Sequence, residues 1–156
     1  MTDRVFNLLG VALKPYDEGP EGHRFAFRSF GDAMGAKATG MTVYELEPGQ
    51  ASWPYHFELA EEELLFVIAG ELTLRTPDGE RALRAGDLAV FPPGATGAHS
   101  VRNDGNETAR YAMPSSRSQH GHATVYPDSE TFQVYGPGFH HRGRLGEKTE
   151  YWEGNA

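Results

Sequence analysis

Short apolar runs separated by Gly- and Pro-bearing breaks recur about every ten residues along this chain. No segment keeps a 3.6-residue apolar period over the length of a helix. The pattern predicts an all-β sandwich or barrel. Arg24 to Phe30 alternates, with Phe25 and Phe27 on one face and Arg24, Ala26 and Arg28 on the other. Met41 to Leu46 is the next predicted strand, stopped by the turn pair Pro48-Gly49. Leu64 to Ala69 is apolar at every position, which predicts burial on both faces. Glu63, Leu65 and Val67 would share its inner face, while Leu64, Phe66 and Ile68 would need a cover from a second sheet or another subunit. Leu72 to Thr76 and Arg81 to Arg84 flank the hairpin turn Pro77-Asp78-Gly79-Glu80. Leu88 to Phe91 follows Gly86-Asp87 and is broken by Pro92-Pro93-Gly94. Val101 to Asn103 and Ala109 to Met113 form the next pair, and Ala123 to Tyr126 and Thr131 to Tyr135 two more strands. The N-terminal run Val5 to Leu13 reads as an edge strand or a short arm. Tyr16 to Gly22 reads as a turn region, Gly31 to Gly40 and Ser115 to His122 as loops, and the basic stretch His140 to Arg144 as irregular.

Nothing in this punctuation marks a domain boundary, so residues 1–156 read as one domain, long enough for a real core. The chain has no cysteine, which leaves out disulfides, thiolate metal sites and cysteine nucleophiles. Histidine and carboxylate remain as the strong metal ligands. A formal charge of −8 argues against nucleic acid as a partner. No N-terminal apolar run resembles a signal peptide, and no stretch approaches about 18 apolar residues. No membrane segment and a cytoplasmic location are therefore expected.

The candidate chemistry lies in the middle of the chain. Residues i and i+2 of a strand share a face, so His56 and Glu58 point together. Glu63 opens the next strand and His99 a later one. Four side chains that bind divalent ions thus come within reach of one interior. Without an ion the two carboxylates would repel, and one should take up a proton. If Glu58 is not a ligand, two His and one Glu remain, with Glu58 free to act as a general base.

The same residues resemble the cupin family. Its first motif is usually written G-x5-H-x-H-x3-4-E-x6-G, and here Gly49, His56, Glu58, Glu63 and Gly70 follow one another at nearly that spacing. Its second motif is usually G-x5-P-x-G-x2-H-x3-N, matched by Gly86, Pro92, Gly94, His99 and Asn103. Glu58 stands where the second histidine of the first motif would be, and one extra residue precedes His56. Position 97, where the later histidine would fall, is a glycine, and His99 keeps the spacing to Asn103. The resemblance covers about Met41 to Met113 and extends to small single-domain bacterial cupins of unassigned activity. It implies a double-stranded β-helix (a cupin or jelly-roll barrel), a metal at one end of the barrel in many members, and frequent dimers. It places His56, Glu58, Glu63 and His99 as ligands of one divalent transition metal: manganese, iron, zinc or nickel.

Two functions from different classes follow. One is a metal-dependent enzyme, oxygenase-like or isomerase- or lyase-like, acting on a small oxygen-bearing molecule held in the barrel mouth. The other is a non-catalytic module that binds or senses a small molecule. A sugar isomerase or epimerase is a weaker third: a sugar-phosphate site should offer basic or backbone-amide phosphate contacts, and the acidic motif region counts against it. By alternation, Leu65, Val67, Phe91, Val101 and Met113 would form the pocket wall. Glu61 and Glu62 read as a solvated acidic turn, Trp53 and Tyr55 as packing aromatics, and His120 with His122 as an exposed pair. His140-His141 with Arg142 and Arg144 read as a solvated basic tail, and Tyr151-Trp152 as packing on the barrel or on a neighbour. The uncovered Phe66 face predicts a homodimer.

Overall fold

The structure, a computed structural model, describes residues 5–118, 120–146, 150 and 153. Among these, antiparallel strands form three sheets. The first has six strands in the order β1 (Lys14–Tyr16), β2 (Phe25–Ser29), β3 (Thr39–Leu46), β10 (Ala109–Ser116), β5 (Glu63–Ala69) and β8 (Leu88–Phe91). The second places β13 (Phe139–Arg144), β12 (Thr131–Gly136) and β11 (His122–Tyr126) beside the two-residue β4 (Phe57–Glu58). The third is β7 (Gly79–Arg84), β6 (Glu71–Thr76) and β9 (Ser100–Arg102).

Alternation sets the interior. Leu65 and Val67 of β5 are fully buried, as are Leu46 of β3 and Tyr111 of β10, and Leu72, Leu74, Leu83 and Val101 join them from the small sheet. Each such side chain contributes about 1.5–3 kcal/mol on leaving water. The all-apolar β5 follows its predicted register: Glu63, Leu65 and Val67 face inward. Its outer face is covered only in part. Ile68 packs with Phe30, Val43 and Ala112 beneath an arm carrying Phe6, Leu8, Val11 and Leu13. Arg110 fixes that arm by donating to the carbonyls of Leu9 and Val11. Phe66, Leu88 and Val90 stay 41%, 59% and 53% exposed.

Three elements differ from expectation. Gly31–Met34, inside the stretch read as a loop, is a single helical turn closed by Gly35 at φ 72°. Lys14–Tyr16, at the start of the presumed turn region, pairs with β2, where Tyr16 stacks on Phe25. His140 to Arg144 is part of β13, whose pairing with β12 supplies the order that its polar composition conceals. Tyr151-Trp152 lies outside the described residues.

Two motif residues earn their places sterically. Gly70 turns β5 into β6 at φ 75°, and a Cβ there would come within 2.8 Å of Ala109. Asn103 is buried and donates to the Leu46 and Glu107 carbonyls, both at 2.8 Å, while its Oδ1 accepts from Gly105 N–H at 2.9 Å. It therefore ties β3 to the turn before β10. Replacing Asn103 by Ala strands the buried Leu46 carbonyl and removes two part-buried partners, the Glu107 carbonyl and the Gly105 N–H, and should cost about 3 kcal/mol. Urea unfolding measures it, and a loss under about 1 kcal/mol would contradict this role.

Candidate metal centre

The site starts from a backbone pair. His56 and His99 lie opposite each other in an isolated antiparallel bridge, each N–H donating to the other's carbonyl at 3.0 and 2.8 Å. Directly opposed residues send their side chains to the same face, and the two imidazole centroids are 4.7 Å apart. Glu63, at the start of β5, points to the same spot: its Oε2 lies 3.9 Å from His56 Nε2 and 3.6 Å from His99 Nε2.

The loop ahead of His99 explains why position 97 carries no side chain. Residues Ala95–Gly97 form a 3₁₀ turn, and a Cβ on Gly97 would sit 1.8 Å from the Pro92 carbonyl oxygen. The turn delivers His99 to the interior, where its ring stacks on Phe91 at 3.8 Å.

Both rings are held in one tautomer. His56 Nδ1 lies 2.7 Å from the Pro54 carbonyl and His99 Nδ1 2.9 Å from that of Gly97. A carbonyl only accepts, so each Nδ1 carries the proton and each Nε2 presents a lone pair. Three acceptors therefore converge within 4.8 Å of one another with no donor among them. Glu63 Oε2 and His99 Nε2 are buried without a hydrogen-bond partner. Burial pulls the His56 imidazole below its ordinary value. Burial and the neighbouring His56 pull His99 down to about 3. Burial, with the charges of Glu58 and Glu61, pushes the Glu63 carboxyl up to about 7. The donor set fits a divalent ion, which would satisfy all three acceptors at once.

Glu58 stands beside this group and joins another. Between His56 and Phe57 the chain changes partner, leaving His99 for β11, so that Glu58 faces Thr124. Glu58 Oε1 accepts from the Thr124 hydroxyl at 2.8 Å, and Oε2 is buried without a partner. Its carboxylate lies within 4.8 Å of Glu61 and His122. Burial raises the Glu58 carboxyl, against the opposing pull of the Thr124 hydrogen bond. Glu61, read as solvated, is half-buried, and its Oε1 accepts from Ser118 N–H at 2.8 Å.

A cavity of about 710 Å³ opens onto His56, Glu58, Glu63 and His122. Its wall differs from the one expected. Leu65, Val67, Phe91, Val101 and Met113 belong to the packed core, because their own side chains fill the barrel at that level. The cavity lies instead between an aromatic cluster (Tyr16, Phe25, Tyr44, Trp53) and the inner face of β11 and β12, with Arg142 of β13. Trp53 is packed there as expected, its indole N–H donating to Tyr44 Oη at 3.1 Å. His122 is not an incidental exposed residue: it stacks on Tyr135 at 4.8 Å and lines the cavity. A signal was available in the polar residues at every second position of His122-Ala123-Thr124-Val125-Tyr126 and in Gln133 and Tyr135.

Residues 42–114 match the family model described as the cupin domain. No curated protein matches the chain. Among solved structures, a protein from Acidithiobacillus ferrooxidans provisionally assigned as a sugar phosphate isomerase is 29% identical, over 83% of this chain and 81% of that one, with a TM-score of 0.75. A cupin-superfamily sugar phosphate isomerase from Silicibacter pomeroyi is 22% identical, over 96% and 98%, with a TM-score of 0.80. A predicted oxalate decarboxylase from Thermotoga maritima is 20% identical, over 73% and 99%, with a TM-score of 0.61. The likeness confirms the double-stranded β-helix.

The electrostatics predict a pH signature for metal-free protein. Glu63 ionises at about 7 when folded against an ordinary 4.5, so the unfolded chain releases this proton first and Glu63 destabilises the fold increasingly from pH 4.5 to 7. Glu63→Gln does not titrate. Its stability relative to wild type should grow over that window by up to about 3 kcal/mol. Urea unfolding in chelator at pH 5 and pH 8 tests this, and a pH-independent difference would contradict it.

Proposed function

Taking the chain as a member of the cupin superfamily, we propose that it is a metal-dependent enzyme that moves a proton on a small oxygen-bearing molecule, in the manner of an isomerase or lyase. The observation that carries this reading is the convergence of three acceptors, two imidazole lone pairs and a carboxylate, with no donor between them and with Glu63 Oε2 and His99 Nε2 buried. His56, His99 and Glu63 would hold the ion. Bound there, a divalent ion supplies Lewis acidity that polarises a carbonyl or hydroxyl oxygen of the substrate. The donor set suits manganese, iron, zinc and nickel.

Glu58 holds and moves the proton in this reading. Its Oε1 is fixed by Thr124, its Oε2 has no partner, and its carboxyl is raised towards the working range of a general acid or base. His122 and Glu61 beside it provide a route for the proton away from the substrate. The Acidithiobacillus ferrooxidans neighbour assigned as a sugar phosphate isomerase lends support to isomerisation. The open positions left by two His and one Glu also suit dioxygen chemistry. Oxygen uptake with phenols or diketones would favour that second reading.

Elemental analysis of untagged protein should find about one transition ion per chain. Glu63→Ala and His99→Ala should each lose it while staying folded, and Glu58→Gln should keep it. Full metal in the first two variants would mean the ion sits elsewhere; loss in Glu58→Gln would make Glu58 a ligand. Binding displaces the Glu63 proton, so apparent affinity should rise up to about tenfold per pH unit below 7 and level off above.

We also propose a homodimer through the outer face of β5 and β8, where Phe66 pairs with Leu88 and Leu64 with Val90. β8 is an edge strand, so a second copy would cover its apolar side chains and its open edge together. Light scattering should report a dimer at micromolar concentration, and Phe66→Glu a monomer. A wild-type monomer would remove this claim.

A further inference from the structure

The cavity wall facing the aromatic cluster is built in cross-strand rows. Register sets Glu58 opposite Thr124, Thr124 opposite Gln133, and Gln133 opposite Arg142. One row therefore runs across β4, β11, β12 and β13, and all four of its side chains line the cavity. Three strand intervals separate its ends, roughly 14 Å of backbone. The inner end is a carboxylate beside the convergent acceptors. The outer end is a guanidinium.

Arg142 is the one Lys or Arg on the cavity wall among the described residues. Arg75, Arg102, Arg110 and Arg117 each meet a carboxylate within 3.2 Å. Arg142 has no carboxylate partner among the described residues and instead lies 5.7 Å from the Tyr126 ring centroid. That ring is itself anchored: the Gln133 amide donates to Tyr126 Oη at 2.7 Å and accepts from Tyr135 Oη at 2.5 Å. A guanidinium resting on a fixed aromatic face, with its N–H groups unclaimed, is placed to receive a planar anion. Across the cavity Tyr16 and Trp53 offer flat apolar faces. The other charged groups on the wall are Glu18, Glu58 and Glu63. At the Arg142 end a phosphate dianion would bring a second negative charge with no second Lys or Arg on the wall to meet it, whereas a carboxylate matches a single fork.

Building on the metal site proposed above, we infer that the cavity takes a flat, conjugated small molecule with oxygen donors at one end and a carboxylate at the other, the carboxylate being bound by Arg142. The donor end lies at His56, Glu63 and His99. The conjugated middle lies between the aromatic cluster and the Thr124–Gln133 wall.

The test uses 3,4-dihydroxycinnamate and its methyl ester, which share the donor end and the flat middle and differ in the anionic end. Each is titrated calorimetrically, without oxygen, into zinc-loaded full-length wild type, Arg142→Gln and Arg142→Lys, with zinc content measured in each. The acid should bind wild type about fivefold more tightly than the ester. The preference should vanish in Arg142→Gln and survive in part in Arg142→Lys, with zinc content and ester affinity unchanged in both. Equal preference in wild type and Arg142→Gln, or no preference in wild type, overturns the inference. The titration is repeated on chelator-treated protein. Failure of wild type to hold zinc would sink the metal reading alone, and the acid-over-ester comparison on the metal-free chain would still decide the role of Arg142.

Discussion

Two backbone hydrogen bonds, exchanged between His56 and His99 at 3.0 and 2.8 Å, are the constraint on which the site depends. They set two residues far apart in the chain face to face and aim both rings at the carboxylate of Glu63. The Pro54 and Gly97 carbonyls then fix which ring nitrogen carries the proton. The result is electrostatically unfavourable by itself, since lone pairs meet lone pairs and two of them are buried without a hydrogen-bond partner. The barrel tolerates it because the strands that carry these groups are anchored by a core of Leu65, Val67, Leu74 and Tyr111. Stability is supplied below the site and spent within it.

The matched family segment, residues 42–114, contains His56, Glu63 and His99. The cavity wall draws on Tyr16 and Phe25 before that segment and on His122, Gln133 and Arg142 after it. The three convergent acceptors thus lie inside the matched segment, while the cavity wall is drawn from that segment and from both of its flanks.

Much of the barrel was legible because its signals are local. Alternation placed Phe25 and Phe27, the unbroken run placed β5, and Gly86 marked a turn whose positive φ requires it. The grouping of His56, Glu63 and His99 was legible from spacing and motif together. What escaped was decided by long-range pairing. Glu58 shares a strand face with His56, yet the exchange of partner between them sends it towards Thr124, and periodicity carries no information about partner exchange. β13 was missed because His140 to Arg144 has no apolar side to alternate, and its order comes from β12. The expected wall failed for a volumetric reason: alternation says which residues point inward, not whether they leave space there.

The Arg110 clamp on the N-terminal arm bears on where the molecule ends as a folding unit. The homologous segment alone would lack the carbonyls of Leu9 and Val11 that hold this guanidinium, and Glu45 would remain as its only counterpart in the pairs described. Phe30, lost with the same truncation, would leave Val43, Ala112 and Ile68 facing solvent on the back of the largest sheet. A fragment trimmed to the recognisable barrel would therefore present a wet apolar strand surface, and such surfaces associate before they function. The opening residues behave as a sealing flap, and expression boundaries belong outside them.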